Sequence, residues 1–379
     1  MGVVVIKGQS IRDDGDVKRR KSSPRELTQL FSWTVLGIAL VTLVVLPTPY
    51  VVQSPGKTLN VLAHDGEDSD QNPINISDED VEIPDGELRL TTVSVTGGEG
   101  FPTFAANILG GYFSKNSRVL PAEVIFPPDL SQEEIAEENQ LEMQSSQDRA
   151  VVVALESLGY DLPTTLRIAG TVPGTGSDGV LKQDDVLVAI DGQDLENFAA
   201  LDDYLNSIEG GDEVTITVER AGQEEDLQVT TSAQHGKTAL GVLIDPEIDY
   251  PFDVDINAQD IGGPSAGLIF SLGIVDLLTP GSLTGGESIS GTGTIDLAGN
   301  VGPIGGIEQK LFGADEAGSD WFLAPEANCA EIENQPDGLT VIPVDTFDNA
   351  QLAVESIASG QGDSLPTCES TIEDADEAP

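Results

Sequence analysis

The distribution of apolar and polar residues predicts a long apolar segment near the start of the chain. Residues 30–46 read LFSWTVLGIALVTLVVL without a charged residue, and PYVV extends the apolar character to Val52. About 20 apolar residues in helical conformation cross the hydrocarbon core of a bilayer. The pattern therefore predicts a single transmembrane helix over residues 30–52.

The residues that flank this segment predict its orientation. The basic sequence KRRKSSPR precedes the apolar run, and such clusters stay on the cytoplasmic side of a membrane. We expect a cell-membrane protein with residues 1–29 in the cytoplasm and the later domains outside. A cleaved signal peptide is the alternative, but no small-x-small cleavage site follows Leu46 and the run exceeds a usual signal core.

Beyond the apolar run, the pattern predicts a spacer followed by a strand and a helix. Residues 53–85 are rich in Asp, Glu, Asn, Pro and Gly, which predicts an acidic spacer with little core. In region 86–159, which we expect to pack near a later domain, ELRLTTVSV (87–95) alternates like a strand. Residues 131–160 open with a Ser-x-x-Glu capping box and then show helical spacing of apolar residues.

The charge balance excludes one class of partner. The chain of 379 residues has 66 acidic and 17 basic residues, which gives a formal net charge of −49. Nucleic acid is not an expected partner, because binding to a phosphate backbone needs cationic contacts. The sequence has no Asp-x-Asp-x-Asp-Gly loop with a trailing Glu and no Cys/His cluster, so we expect a solvated acidic surface and neither a metal site nor a cofactor.

Residues 160–233 are predicted to form a separate β-rich module. The pattern gives strand, Gly-rich turn, strand, Asp-Gly turn, helix and two strands, and GVLKQDDVLVAIDGQ resembles a bacterial PDZ domain. The resemblance implies binding of an extended peptide at a sheet edge, with LGYDLP as the carboxylate loop and Gly159, Tyr160 and Leu162 as its binding residues. The alternative is a module that only spaces its neighbours. No Walker motif occurs in the chain.

Ser265 is the candidate nucleophile of the last region, residues 236–360. It lies in IGGPSAGLIF, where Pro264 suits the first position of an apolar, buried helix. Free N–H groups at a helix start favour negative charge, including that of an oxyanion. Serine at this position is also an ordinary helix cap. The only two histidines, His64 and His235, have no spacing that ties them to Ser265.

Lys310 is the candidate general base. In GGIEQKLFGADEAG, the lysine shares the apolar helix face with Ile307, Leu311 and Ala314. Burial disfavours the ammonium form and lowers the pKa of a lysine, which makes it a usable base. Snorkelling of the amine to water is the alternative. Between the two residues, ESISGTGTIDL alternates like a strand and places Thr292 on its polar face, where it is able to hydrogen-bond the amine.

GGPSAG together with GTGTIDLAGNVGPIGGIEQKLFGADEAG resembles the proteolytic domain of the Lon-type serine peptidases. The resemblance implies that Ser265 is the nucleophile, that Lys310 is the base and that Thr292 positions the lysine. We expect the backbone N–H groups of Ser265 and Gly263 to bind the oxyanion. One departure is Gly262, which stands where many Lon proteins have Asp; here the nearest Asp is Asp260.

Two cysteines, Cys329 and Cys368, lie near the C-terminus. An extracytoplasmic location permits a disulfide between them, and two free thiols are the alternative. Residues 361–379 are predicted to form an acidic tail, of which the last residues, TIEDADEAP (371–379), are expected to remain disordered.

The sequence as a whole predicts an α+β protein with an N-terminal transmembrane helix, a PDZ-like module and a Lon-type domain. This combination resembles bacterial, especially actinobacterial, PDZ–Lon membrane proteins. It implies an ATP-independent serine endopeptidase that acts on unfolded or extended peptides. The Lon-type resemblance alone also implies a ring-shaped homo-oligomer. The alternative function is a non-catalytic PDZ adaptor at the cell envelope.

Overall fold

The computed structural model describes residues 24–44, 46–64, 72–77, 81, 83–98, 103–128, 130–234, 237–258 and 261–377. Most of the cytoplasmic segment predicted over 1–29, together with His235 and Asp260, lies outside these residues. Within them the fold is mixed α and β: a larger α+β unit contains a smaller β-rich module as an insertion.

The first part of the larger unit supplies strands and a long helix. Its elements are α1 (Pro24–Val44), β1 (Pro47–Thr48), β2 (Tyr50–Asn60), β3 (Ile74–Ile76), β4 (Glu87–Thr96), β5 (Thr103–Phe104), α2 (Ala105–Phe113), β6 (Arg118–Pro121), α3 (Ala122–Ile125) and α4 (Gln132–Ser157). The strand predicted at 87–95 is confirmed as β4. The predicted helix is confirmed as α4, and its capping box forms between Ser131 and Glu134.

The inserted module contains one helix against one main sheet. Its elements are β7 (Thr164–Thr171), β8 (Val186–Ile190), β9 (Gln193–Asp194), α5 (Phe198–Asn206), β10 (Glu213–Arg220), β11 (Gln223–Thr230), β12 (Ser232–Gln234), β13 (Lys237–Ala239) and β14 (Val242–Ile248). The sheet order is β11-β10-β8-β7-β14, so β14 is a terminal strand. A separate apolar cluster fills this module, and Leu201 and Leu205 of α5 belong to it.

The last part of the chain completes the larger unit. Its elements are β15 (Val254–Ile256), α6 (Gly267–Leu278), β16 (Ser288–Gly291), β17 (Thr294–Ile295), β18 (Val301–Gly302), α7 (Ile307–Glu316), β19 (Trp321–Pro325), β20 (Thr340–Val344), α8 (Phe347–Ala358) and α9 (Cys368–Glu377). Its main sheet has the order β20-β19-β16-β4-β2-β6, and β4 runs parallel to β16. Sequence before and after the module therefore forms one sheet, with the buried helix α6 packed against α4.

The helix predicted over residues 30–52 forms only in its first part, residues 30–44, which belong to α1. Helix α1 ends at Val44, and β1 begins at Pro47. Proline has no N–H for a helical hydrogen bond and disfavours helical conformation in the preceding residue, so Pro47 and Pro49 stop the helix. Val51, at the end of the apolar run, is buried in β2. Among the described residues, no helix has both the length and the apolar content needed to cross a bilayer.

The acidic spacer predicted over residues 53–85 is wrong for the described part of this range. Strand β2 lies between β4 and β6, and Val61, Leu62 and Ile74 are buried in the main apolar cluster. The average composition is polar because the sequence between these elements, at residues 65–71 and 78–80, is acidic. The apolar residues themselves sit at positions that face the core, which an average over the segment does not reveal.

The predicted limits of the module are also corrected. Strand β14 pairs with β7 and so belongs to the module, which extends beyond residue 233, and the later domain does not begin at 236. This domain also takes its β2, β4 and α4 from sequence before the module.

The acidic tail predicted over residues 361–379 contains α9, so residues 371–377, which were expected to be disordered, are helical. Cys329 and Cys368 form a disulfide with a Cα–Cα distance of 5.1 Å, and Ile372 packs on the same apolar cluster. The disulfide and this apolar contact hold the acidic segment against the domain. Residues 378–379 lie outside the described residues.

Candidate active site

Ser265 lies in the loop that leads into α6, at the floor of a cleft. The helix begins at Gly267 with Ala266 as its N-cap, so Pro264 precedes the helix instead of occupying its first position. The Ser265 carbonyl accepts hydrogen bonds from the N–H of Gly293 at 2.9 Å and from Thr292 Oγ1 at 3.0 Å. These contacts fix the backbone of Ser265 against the end of β16.

Lys310 reaches Ser265 from helix α7. Its Nζ lies 2.8 Å from Ser265 Oγ and 2.7 Å from Thr292 Oγ1. The helix comes this close because Gly306, its N-cap, has a φ of +71° and a Cβ there would lie 2.7 Å from Val93 Cγ1. A side chain at residue 306 would push the start of α7 away from β4.

Burial sets the protonation of Lys310. The side chain is only 2% exposed, and no carboxylate among the described residues forms an ion pair with it. Desolvation lowers the pKa of Lys310 from 10.5 to about 7. Close to half of the lysines are therefore neutral near pH 7, and a neutral amine is able to accept the Ser265 hydroxyl proton.

Thr292 gives the lysine its direction. Because its hydroxyl hydrogen is donated to the Ser265 carbonyl, the Oγ1 lone pairs are left for the amine of Lys310. The predicted continuous strand is interrupted here: β16 ends at Gly291 and β17 begins at Thr294. The interruption lets the N–H of Thr292 bond to Leu323 O of β19, while the side chain faces the lysine.

The predicted role of Gly263 in oxyanion binding is wrong in this structure. The Gly263 N–H donates to Asn139 O of α4 at 3.1 Å, so it is already used. The N–H groups of Ser265 and Ala266 have no acceptor among the described residues. They flank the Ser265 side chain at the start of α6 and are therefore available to an oxyanion formed there. Gly262, the departure from the Lon pattern, is exposed in the same loop.

Sequence reasoning missed the contribution of Ser146. This residue of α4 is 1% exposed, and its Oγ donates to Pro264 O at 2.9 Å. Gly267 permits the approach, because a Cβ there would lie 2.8 Å from Ser146 Oγ. Together with the Asn139 contact, this bond fixes the peptide groups 262–263 and 264–265, which precede the Ser265 side chain. The sequence contains one sign of this role: a polar residue, Ser146, lies between Met143 and Ala150 of the same helix, and both of these are buried.

The cleft above Ser265 has a volume of about 830 Å³ and is open to solvent on one side. Its walls are the bulge of β2 around Lys57, residues 91–94 of β4, the loop that contains Ser265 and residues 303–305. Strand β4 pairs with β16 only as far as Leu90. Beyond it, residues 91–96 have no strand partner on that side among the described residues, and residues 91–94 of this stretch line the cleft.

The predicted carboxylate loop of the module is not at Gly159, Tyr160 and Leu162. Leu162 is buried in the core of the larger unit, and the Tyr160 ring packs edge-on against Phe252 with 5.4 Å between centroids. Gly159 lies in the turn after α4. These residues join the two units and are not part of the module's sheet.

The module instead presents the free edge of β14. This strand pairs with β7 on one side only, and Pro246 within it is typical of an edge strand. A cavity of about 400 Å³ lies between β14 and α4, where Arg149 and Tyr250 line it. Gly241, with a φ of +78°, precedes the strand. Among the described residues, the module therefore has an unpaired sheet edge at β14, next to α4, whose Ser146 contacts the loop of Ser265.

The histidines take no part in the described site. His64 Nδ1 lies 3.0 Å from Leu62 O, two residues away, and His235 lies outside the described residues.

Comparison with known proteins finds similarity for one part of the chain. Residues 248–354 match the family described as the Lon protease (S16) C-terminal proteolytic domain. Lon protease 1 of Bacillus subtilis is 35% identical over 127 residues, which cover 31% of this chain and 16% of that protein. The Lon protease of Chloroflexus aurantiacus is 31% identical over 151 residues, covering 38% and 18%. The chain thus spans less than a fifth of these relatives, and the matched region supports a serine peptidase.

Among solved structures, the chain is similar to the PDZ domain of the SdrC-like protein of Listeria innocua. The match has 23% identity and a TM-score of 0.21, and it covers 21% of this chain and 92% of that domain. The corresponding PDZ domain of Listeria monocytogenes matches with 23% identity, a TM-score of 0.20 and coverage of 22% and 88%.

Proposed function

We propose that the chain is a serine endopeptidase in which Ser265 is the nucleophile and Lys310 the general base. One observation carries the proposal: a buried lysine amine lies 2.8 Å from the hydroxyl of a half-buried serine at the floor of an open cleft. Nucleophile and base within hydrogen-bond reach, with Thr292 as a third group that orients the base, form the arrangement needed for covalent catalysis.

The geometry supports a two-step reaction. Neutral Lys310 accepts the Ser265 proton while Oγ forms a bond to the scissile carbonyl carbon and the carbonyl electrons move to oxygen. The N–H groups of Ser265 and Ala266 stabilise this oxyanion. When it collapses, the C–N bond breaks and Lys310 gives its proton to the leaving amine. Water, activated by the same lysine, then attacks the acyl-enzyme and releases the second product.

We propose extended peptides as the substrates. The unpaired edge of β4 borders the cleft at residues 91–94, and a peptide lying along it is able to add as a strand. A folded protein offers few such segments. Because the sequence has no nucleotide-binding motif, the proposed reaction is ATP-independent and acts on unfolded tails or loops.

The PDZ-like module is proposed to capture a second segment of the substrate at the free edge of β14. This edge offers backbone hydrogen bonds, and the adjacent cavity offers the cation of Arg149 to a peptide carboxylate, beside the acidic side chains of Asp148 and Asp245. The capture site lies against α4, the helix that also contacts the nucleophile loop. Peptides with an extended C-terminus are therefore the proposed ligands.

We further propose a cell-envelope location, with the N-terminus in the cytoplasm and the larger unit outside. The basic segment before the apolar run supports this orientation, and a disulfide suits an oxidising compartment. Accessibility of the larger unit to a protease added to intact cells tests the location. Assembly into a ring is proposed from the Lon resemblance alone. The molecular mass of the purified protein in solution tests it.

The central test compares the full chain with Ser265→Ala, Lys310→Ala and Lys57→Ala on casein and on an internally quenched peptide library, with and without ATP. Lys57 lines the same cleft but is exposed, so its variant is the matched control. We expect turnover by the wild type and Lys57→Ala only, with no requirement for ATP. Equal turnover by all four proteins refutes the dyad, and no turnover by any of them favours the non-catalytic PDZ adaptor.

A further inference from the structure

Helix α2 is apolar on both of its faces. Its inner face packs on β2, where Gly111 is buried and a Cβ would lie 3.0 Å from Val52 Cγ1. The outer side chains Leu109, Tyr112 and Phe113 are 55%, 76% and 81% exposed. At spacings of three and four residues they share one helix face. Surface helices of water-soluble domains normally present polar residues on this face, so the exposed residues need a partner.

The charge around this helix differs from that of the rest of the chain. Residues 100–122 contain no Asp or Glu, although the whole chain has 66 acidic residues. The same segment contains two exposed basic residues, Lys115 and Arg118, neither of which forms an ion pair with a described residue. Tyr, Phe and Leu next to Lys and Arg are the residue types found where proteins contact the headgroup region of a bilayer.

The fold also places α2 beside the apolar N-terminal helix. Strand β1, which begins three residues after α1 ends, pairs with β5, and β5 leads directly into α2. Thr48 Oγ1 donates to Thr103 O at 2.9 Å and fixes this junction. Helices α1 and α2 are in contact. Phe31 and Trp33 of α1 are also about 70% exposed, so both helices expose large apolar side chains.

We propose that the outer face of α2, formed by Leu109, Tyr112 and Phe113, lies in the headgroup region of a lipid bilayer. Lys115 and Arg118 lie next to it and contact lipid phosphates. Insertion removes the exposed apolar area from water, and the absence of carboxylates avoids both their desolvation and their repulsion from anionic lipids. The inference concerns contact with a membrane surface, and it is independent of the proposed peptidase chemistry.

A second copy of the chain is the competing occupant of this face. A two-fold contact through α2 would bring the Lys115 and Arg118 side chains of both copies together without a carboxylate from residues 100–122 to pair with them. Like charges at the centre of an interface oppose association. The charge pattern therefore favours the lipid surface.

The experiment places a tryptophan at the proposed contact in the full chain. Trp33→Phe removes the α1 indole, and Phe113→Trp or Leu352→Trp is then added in this background. Leu352 is the matched control because it is 59% exposed on α8, which packs at the β20 edge of the main sheet, whereas α2 packs at the opposite β2–β6 edge. Each variant is incorporated in vesicles of phosphatidylcholine and phosphatidylglycerol, with and without brominated acyl chains. Emission of the Trp33→Phe parent is subtracted.

We expect quenching by brominated lipid to be at least about twofold stronger for the indole at residue 113 than for the one at residue 352. Thermal unfolding of each variant checks that it remains folded. Equal quenching at the two positions overturns the proposal. A second result also overturns the proposal: the emission of the indole at residue 113 is blue-shifted but not quenched, and the molecular mass of the protein in solution falls when Phe113 is changed to Ser. That result assigns the face to a second copy of the chain.

Discussion

The burial of Lys310 predicts a specific pH dependence for peptide cleavage. With its pKa lowered to about 7, the amine loses its proton across the range in which ordinary lysines stay charged. Only the neutral amine accepts the Ser265 proton. We therefore expect kcat/KM to increase tenfold per pH unit below pH 7 and to reach a plateau above about pH 8.

The size of the effect follows from the two pKa values. A lysine with its usual pKa of 10.5 is neutral in about one molecule in 3,000 at pH 7, whereas a lysine with a pKa of about 7 is neutral in about half of the molecules. Burial thus supplies more than about a thousandfold more active base at neutral pH. The assay is the initial rate on an internally quenched peptide between pH 5 and 10, at substrate concentrations far below KM.

The same burial predicts an effect on stability that does not depend on activity. Because the folded pKa lies below the unfolded one, the unfolded chain binds more protons between pH 7 and 10.5, and stability increases with pH through this window. At about 1.4 kcal/mol per pKa unit, the cost near pH 7 is about 5 kcal/mol. Lys310→Met removes this cost, so we expect a higher free energy of unfolding at pH 7 and a flatter pH dependence up to pH 10.5.

Two results would refute this reasoning. A cleavage rate that keeps rising up to pH 10 shows that the lysine titrates as an exposed one. An unfolding free energy with the same pH dependence in the wild type and in Lys310→Met shows that Lys310 is not desolvated. Lys57→Met is the control for general effects of removing a positive charge, and we expect it to leave both profiles unchanged.

Three further substitutions test the surroundings of the site and the core. Thr292→Val removes the hydrogen-bond partner that directs the lysine, and we expect kcat to fall about 10- to 100-fold while Thr292→Ser retains most of it. Ser146→Ala leaves Pro264 O without its donor, which should lower kcat about tenfold with little change in KM. Asp276→Asn should raise the free energy of unfolding above pH 6 by up to about 3 kcal/mol, because burial raises the pKa of this carboxyl to about 6.

Each of these predictions has a control. Ser145→Ala removes a hydroxyl from the next residue of α4, which makes no contact with the nucleophile loop among the hydrogen bonds of the described residues, and an equal loss in kcat there contradicts the role of Ser146. A Thr292→Ser variant as slow as Thr292→Val contradicts the role of the hydroxyl.

For Asp276, the folded state binds the proton more tightly between pH 3.8 and 6, so the loss of stability caused by the buried carboxylate is present above pH 6 and absent below 3.8. Asp276→Asn keeps the acceptor for Leu283 N–H, so its free energy of unfolding should equal that of the wild type at pH 3.8. An equal increase in the free energy of unfolding at pH 3.8 and above pH 6 contradicts the raised pKa of Asp276.

Local sequence patterns predicted several elements of the fold because their causes are local. The capping box at Ser131 satisfies N–H groups within one turn of α4. The spacing of Ile307, Lys310 and Leu311 predicted that the lysine faces the core, and it is buried there. Patterns of this kind depend on residues within about two turns of one another, so the tertiary structure was not needed to read them.

Contacts between distant segments were decided only by the tertiary structure. Ser146 and Pro264 are separated by the whole inserted module, so no period in the sequence connects them. The same separation hid the pairing of β4 with β16 and of β14 with β7. It also hid that Gly263 N–H is already bonded to Asn139, which changes the expected oxyanion donors. The sequence by itself determined the chemical groups of the site and the helices that hold them. The packing of two separated segments around α6 determined their geometry, because hydrogen bonds and burial depend on distance in space and not on distance along the chain.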